Sequence, residues 1–460
     1  MRPVLATSLL AFVLVGCTYQ AAGDHPSVPM PETLGMADAA SSTWPDPGWW
    51  KGFGSAELNR LIVQAASGNQ DIAASVARVY QAIASARVAG APLLPAVGVS
   101  ADASYQGYND STGAVRGTYG DVILSASYEV DFWGHNSALA ASAQASLQAS
   151  RYDRETVALT VTAAVADSYF QVLAARERLA IAQDNLTNAR AVLTQVEARA
   201  RDGSALALDV AEQQSLVATQ EAAIPPLQQA ETEVLVTLAI LLGLPPQGFN
   251  VVGTTLDGVT TPAVTPGLPS ELLVRRPDIA TAEAQLAAAD ANVAAARAAM
   301  LPHLDLTGVA GVQGAALSGA TGGTSFLYTL GAGLTQPIFD NGALAGQRDF
   351  AKARQEELVA HYRAAVLAAF GDVRNALQAL NHFRAQEAAQ EIAVAEARSA
   401  LGLATAEYRD GAADLLTVLD TQRTLYGAEE QLVEVRLARL QALVALYKAL
   451  GGGWKQGGPI

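Results

Sequence analysis

Residues 165–203 read VADSYFQVLAARERLAIAQDNLTNARAVLTQVEARARDG, a run whose period dictates helix. Val165, Ser168, Val172, Ala175, Leu179, Ala182, Leu186, Ala189, Leu193, Val196 and Ala200 recur at alternating spacings of three and four, which is the seam of a coiled coil. Shifted by 208 residues, the same register reads Val373, Ala376, Leu380, Phe383, Glu387, Gln390, Val394, Ala397, Leu401, Ala404 and Tyr408. Both seams run into the same tripeptide, Arg201-Asp202-Gly203 and Arg409-Asp410-Gly411, where glycine lets the chain reverse. Returning helices then show Val210, Val217, Ile224, Val234 and Leu238 in one copy, and Val418, Leu425, Leu432, Val435, Ala442 and Leu446 in the other. The chain therefore holds two antiparallel helical hairpins. Their first arms extend from about 135 to 201 and from about 342 to 410, roughly 100 Å each at the helical rise of about 1.5 Å per residue. No ordinary globular core is that long, and the alanine-rich seams point to helices packed side by side into a wall. Pro225-Pro226 is expected to kink or break the first return helix.

Other anchors repeat at the same distance. Leu94-Pro95 recurs as Leu301-Pro302, and Leu242-Gly243 as Leu450-Gly451, so the whole chain is one supersecondary unit in two copies. Ahead of each long helix lie alternating segments. Val97, Val99, Ala101, Ala103 and Tyr105 precede a polar loop from Gln106 to Thr118, and Val122, Leu124, Ala126, Tyr128, Val130 and Phe132 follow it. The second copy gives Leu304, Leu306, Gly308, Ala310 and Val312, a loop from Gln313 to Ser325, then Phe326, Tyr328, Leu330, Ala332 and Leu334. Alternation over about ten residues with aromatic ends is the pattern of outer-membrane strands. Four strands cannot close a barrel and open edges are not tolerated in lipid, so several chains must share one.

The expected organisation is a signal peptide over 1–16, a tether over 17–54 and a first repeat over 55–250, with a β-hairpin at about 96–133 and a helical hairpin at about 135–243. An equatorial linker over 251–268 leads to a second repeat over 269–450, with a β-hairpin at about 303–339 and a helical hairpin at about 342–450, and a Gly-rich tail over 451–460.

Half of the 460 residues are hydrophobic and 16% are charged, which places the chain between soluble enzymes and helical membrane proteins. Asp and Glu number 44 against 29 Lys and Arg, a net charge of −15, which excludes a nucleic-acid partner needing a basic face. The one cysteine closes Leu14-Val15-Gly16-Cys17, after a basic start and an apolar run too short to span a bilayer. This resembles the bacterial lipobox, in which the cysteine is acylated and becomes the first residue, and Thr18 favours delivery to the outer membrane. Residues 18 to about 48 are rich in Pro, Gly, Ala and Ser, as a tether would be.

An enzyme would need a nucleophile with its base, a metal cluster or a phosphate loop. His25, His135, His303, His361 and His382 fall in different elements without ligand spacing, and no phosphate-loop or nucleophile-elbow pattern occurs. No enzyme and no cofactor is expected.

Trp49-Trp50-x-x-Phe53 with Leu58 and Leu61, the paired Leu-Pro motifs, and Leu273-Val274-Arg275-Arg276-Pro277-Asp278-Ile279 followed by Ala282-Glu283 bring a family into view. From Cys17 to about Leu450 the sequence resembles the outer membrane factors, the TolC-like exit ducts, and specifically the NodT/OprM-type lipoproteins of resistance-nodulation-division efflux systems. The resemblance implies a mainly α homotrimer. Its duplicated hairpins would form a periplasmic α-barrel, and its four strands per protomer a shared twelve-stranded membrane barrel. It also implies a periplasmic adaptor docking at the tips around Gly203, Gly411, Arg201 and Arg409, an inner-membrane pump supplying energy, and a surrounding of outer-membrane lipid. Asp209, Asp420 and Tyr408 match residues of the family's periplasmic gate, whereas Thr417 and Ala413 stand where TolC has an acidic and a basic residue. Physically, Arg275, Arg276, Pro277 and Asp278 read as a helix start, with proline in the first turn and an acid at the positive end of the dipole. The function implied is passive small-molecule efflux. A type I protein-secretion channel is the alternative within the fold, and a periplasmic coiled-coil adaptor or envelope scaffold the alternative outside it.

Overall fold

A computed structural model describes residues 26–28, 44–110, 113–264, 269–315 and 325–454. Cys17 lies outside the described residues. Eight α-helices and four strands follow in order among them: α1 Ala56–Gly68, α2 Gln70–Gly90, β1 Ala96–Asp110, β2 Gly113–Val130, α3 His135–Arg201, α4 Ala207–Leu241, α5 Pro269–Leu273, α6 Pro277–Ala298, β3 His303–Ala315, β4 Ser325–Thr335, α7 Ala343–Arg409 and α8 Leu415–Ala449. Helices α3 and α7 have 67 residues each, and α4 and α8 have 35 each. The 208-residue repeat thus holds to the residue at all eight ends of these helices.

The chain divides into two units. The first, residues 79–150 and 282–362 of the described chain, contains an antiparallel sheet in the order β1-β2-β3-β4. Its register sets Val99 opposite Leu124, Leu124 opposite Ala310 and Val312 opposite Phe326. Because side chains alternate, the apolar positions of all four strands share one face, and most of these side chains are exposed. Ser100, Asp102, Asp121, Ser125, Ser127, Glu129, Asp305 and Thr307 share the other face. Among the described residues β1 and β4 each pair on one side only. The expected loop from Gln106 is corrected, since β1 runs to Asp110 and β2 begins at Gly113. Backbone pairing is indifferent to side-chain polarity, so the ladder continues into polar sequence. Asp131 starts α3 by accepting from Asn136 N at 3.0 Å and Ser137 N at 2.7 Å. Asp340 does the same for α7, from Gly342 N at 3.0 Å and Leu344 N at 2.7 Å. Such carboxylates satisfy amides that have no partner within the helix.

The second unit, residues 28–78, 151–281 and 363–460, holds the main core. Phe53, Leu58, Phe170, Leu173, Leu238, Leu242, Leu443, Val444 and Tyr447 are buried together. Trp49 stacks on Tyr447 at 4.8 Å between centroids, and Phe53 meets Phe170 edge-on at 5.0 Å. Every seam position from Val165 to Ala200 and from Val373 to Tyr408 is buried or half-buried. Glu387, the charged member, pairs with Arg439 at 2.8 Å and Arg436 at 3.5 Å. The expected break at Pro225-Pro226 does not occur, and α4 runs through both prolines. The carbonyls that lose their donors belong to Glu221 and Ala222, both exposed, so water can take the place of the missing amides.

Candidate gate and docking tips

Both hairpins reverse through the same physics. Gly203 and Gly411 are left-handed, with φ of 77° and 78°. Gly203 N donates to Ala200 O at 3.1 Å and Ser204 N to Arg199 O at 2.8 Å; Gly411 N donates to Tyr408 O at 3.2 Å and Ala412 N to Glu407 O at 2.8 Å. These are paired Schellman turns. They leave Arg201, Asp202, Arg409 and Asp410 exposed at the two reversals, with Arg201 Nε donating to Glu197 O at 3.3 Å.

The return helices start by complementary halves of one device. In the first copy the N-cap is Leu206, which has no acceptor, and Asp209 reaches back to accept from Leu206 N at 2.8 Å. In the second the N-cap is Asp414, which accepts from Thr417 N at 2.9 Å and Thr417 Oγ1 at 2.7 Å. The hydrogen bonds, led by the Thr417 hydroxyl, hold the Asp414 carboxyl below its ordinary value. Of the gate residues expected by resemblance, Asp209 and Thr417 are thus both engaged in helix caps. Asp420 is exposed on α8. Tyr408 is buried in a tip cluster with Val196, Leu216, Ala404, Leu415, Val418 and Leu419, and its hydroxyl has no hydrogen-bond partner in the protomer. Burial pushes its pKa up, with Arg199 opposing and Asp209 adding to the shift.

The Arg-Arg-Pro-Asp motif lies in the same unit and is a bridge. Arg276, 10% exposed in its side chain, grips Asp278 through Nε at 3.0 Å and Nη2 at 2.6 Å. Its Nη1 reaches Asp372 of α7 at 3.0 Å and the carbonyl of Ala449, the last residue of α8, at 3.2 Å. One buried guanidinium therefore ties the start of α6 to α7 and to the end of α8. Arg275 lies over Trp44, 4.5 Å from the ring centroid, while Trp44 Nε1 donates to Glu271 at 2.7 Å, so this stretch also holds the tether.

Charged side chains that no motif announced fix the linker. Glu57 accepts from Val252 N at 2.7 Å and Gly253 N at 2.9 Å, Glu177 accepts from Leu256 N at 2.9 Å, and Arg176 donates to Val251 O at 2.7 Å and Gly253 O at 2.6 Å. Asp167 on α3 is half-buried, with its Oδ1 buried and unpartnered. Burial pushes its pKa up to about 7 against the pull of Lys448. An acid raised in the folded state lends stability that is full below its unfolded value of 3.8 and lost as pH rises through the folded value. Asp167→Asn is therefore expected to raise thermal stability at pH 8, on the order of a few kcal/mol, and to flatten the decline between about pH 4 and 7 in melting curves of the detergent-solubilised protein.

The outer membrane efflux protein family matches residues 61–244 and 268–452. The chain is 48% identical over 451 residues to a pyoverdine export outer membrane protein, OpmQ, of Pseudomonas putida, covering 94% of this chain and 96% of that one. It is 49% identical over 416 residues to OpmQ of Pseudomonas aeruginosa, covering 88% and 87%. Among solved structures, the outer-membrane channel OprN superposes with a TM-score of 0.86 at 28% identity, covering 96% and 99%. The open state of the Neisseria gonorrhoeae MtrE channel superposes with a TM-score of 0.85 at 30% identity, again covering 96% and 99%.

Proposed function

The chain belongs to the outer membrane efflux protein family, TolC-like exit ducts of the Gram-negative outer membrane, and we propose that it works as a homotrimer through which pyoverdine leaves the cell. The sheet carries the trimer reading. It has an apolar face and, among the described residues, two edges that pair on one side only, and a lipid-facing sheet must close on itself, which three copies of four strands achieve as a twelve-stranded barrel. The two OpmQ relatives, both named for pyoverdine export, supply the substrate. Energy comes from an inner-membrane pump through a periplasmic adaptor that meets the tips at Gly203, Gly411, Arg201 and Arg409. Acylated Cys17 anchors the tether, and the duct itself carries out no reaction.

Expression in a pyoverdine producer deleted for its own OpmQ tests this reading. Pyoverdine should return from the periplasm to the medium. Unrestored pyoverdine together with restored secretion of a protein substrate would replace it with the secretion channel.

The gate lies at the tips, with Asp420, Asp209, Tyr408 and Thr417 contributing. Three copies of the exposed Asp420 surround one axis and favour cations there. Asp420→Ala is expected to weaken cation preference and block by multivalent cations added on the periplasmic side, with little change in conductance of its own. Equal reversal potentials and equal block in planar bilayers would place Asp420 off the aperture.

A further inference from the structure

Tyr408 matches a tyrosine of the family's gate by resemblance, and its hydroxyl touches no hydrogen-bond partner here. Its polar contact across the hairpins is with Arg199, a residue in the last turn of α3. Its Nη1 donates to Tyr408 O at 2.6 Å, and its guanidinium carbon lies 4.5 Å from the centroid of the tyrosine ring. We propose that Arg199 is the latch of the periplasmic tip, clasping the last turn of α7 from the other hairpin through ring and carbonyl together. The latch rests on the tip being the gate.

Three observations support it. A cation at the C-terminal end of α7 meets the negative end of the helix dipole, and the carbonyl it binds already accepts from Gly411 N, so the guanidinium is charge-matched to a crowded helix end. The 208-residue repeat puts Glu407 where Arg199 would recur and Ala200 where Tyr408 would, so each protomer has one such clasp, with no reciprocal copy. The tip packing is also not self-sufficient. Besides the Tyr408 hydroxyl, Gln213 at 0% and Gln422 at 1% exposure each bury a side-chain oxygen without a partner. Opening would hydrate such groups, which favours the open form unless a specific contact opposes it.

Farther from the reversal, α3 is tied to α8 through Tyr426 Oη donating to Asn185 O at 3.2 Å and through Arg178 with Glu430. These ties lie 14 and 21 residues back from Arg199, about 21 and 32 Å along the helix. Releasing the latch therefore removes a polar tie between the last turns, leaving the tip cluster to hold them, while the hairpins stay joined above.

Single-channel recording on purified trimers tests this, with trimer migration on gels as the check on assembly. Arg199→Met should raise mean conductance at least threefold, and Arg199→Lys, which donates to a carbonyl but stacks poorly, should fall between. Tyr408→Phe should conduct like wild type. Tyr408→Ala, which removes the ring but keeps the carbonyl that Arg199 binds, should likewise fall between wild type and Arg199→Met, and the double variant should conduct no more than Arg199→Met. Leu419→Asp, which breaks the tip cluster, is the control. Wild-type conductance in Arg199→Met beside an open Leu419→Asp overturns the latch and leaves the gate standing. Tyr408→Phe as open as Arg199→Met also overturns the latch, because the hydroxyl would then be the gating group. Wild-type conductance in both Arg199→Met and Leu419→Asp overturns the tip gate, and the latch with it.

Discussion

Replacing Arg276 by methionine is expected to destabilise the protein by about 3 kcal/mol, near the lower end of what losing one partner of a buried ion pair costs. Methionine fills much of the volume but leaves Asp278 without its bidentate partner and Ala449 O without its donor. Asp372 is 54% exposed and adds little, since water replaces its partner. The signature is in the pH dependence. Burial works upward on the Asp278 carboxyl, but the hydrogen bonds and charge of Arg276 outweigh it and hold the carboxyl below its ordinary 3.8. A depressed acid lends stability above its unfolded value and loses it as pH falls through the folded one. Wild type should therefore lose melting temperature steeply below about pH 4, and the methionine variant should lose less there while starting lower at pH 7. Parallel curves would show that Arg276 acts through packing alone.

Gly451→Ala and Gly243→Ala should each cost about 3–5 kcal/mol, large for a single methyl group. Both glycines are left-handed, with φ of 83° and 71°, which alone costs on the order of 1–2 kcal/mol for alanine. At each, the added carbon would also run into a backbone carbonyl, that of Arg275 for Gly451 and that of Gly68 for Gly243. A backbone carbonyl fixed at a helix end, as at Gly68, or in the turn ahead of α6, as at Arg275, cannot yield as a flexible side chain can. Gly203 and Gly411 provide the contrast, since they share the positive φ but have nothing within 4 Å of an added carbon. Alanine there should cost only the conformational part, about 1–2 kcal/mol. Trimer yield and melting temperature of the four variants should separate into these two pairs, and equal losses in all four would remove the carbonyl contact as a cause.

The Leu-Gly pair at 242–243 and 450–451 was legible as a repeat, and its helix-ending glycine as a conformational need. The close approach to the segment ahead of the next helix was not, because Gly68 and Gly243 are 175 residues apart in the chain. Glu387 shows the same division. Its place in the seam followed from heptad spacing, whereas its partners Arg436 and Arg439 lie on α8 and emerge only when the two arms are folded together. Comparing the repeats position by position would have flagged it, since Leu179 stands at the matching position.

Period and repetition belong to the sequence because they are local. Spacings of three and four make a seam, alternation makes a two-faced strand, and a 208-residue self-match makes two hairpins whatever else the chain does. Those patterns by themselves determined a duplicated helical wall, four strands that one chain cannot close, and reversals at Gly203 and Gly411. The tertiary structure alone decided how the charges are used. It placed Arg199 on Tyr408, set Asp209 and Thr417 into caps, and laid Glu57, Arg176 and Glu177 on the backbone of the linker. A charged side chain is specified by whatever stands within about 3–4 Å of it, and for Arg199 that neighbour is 209 residues away in the chain.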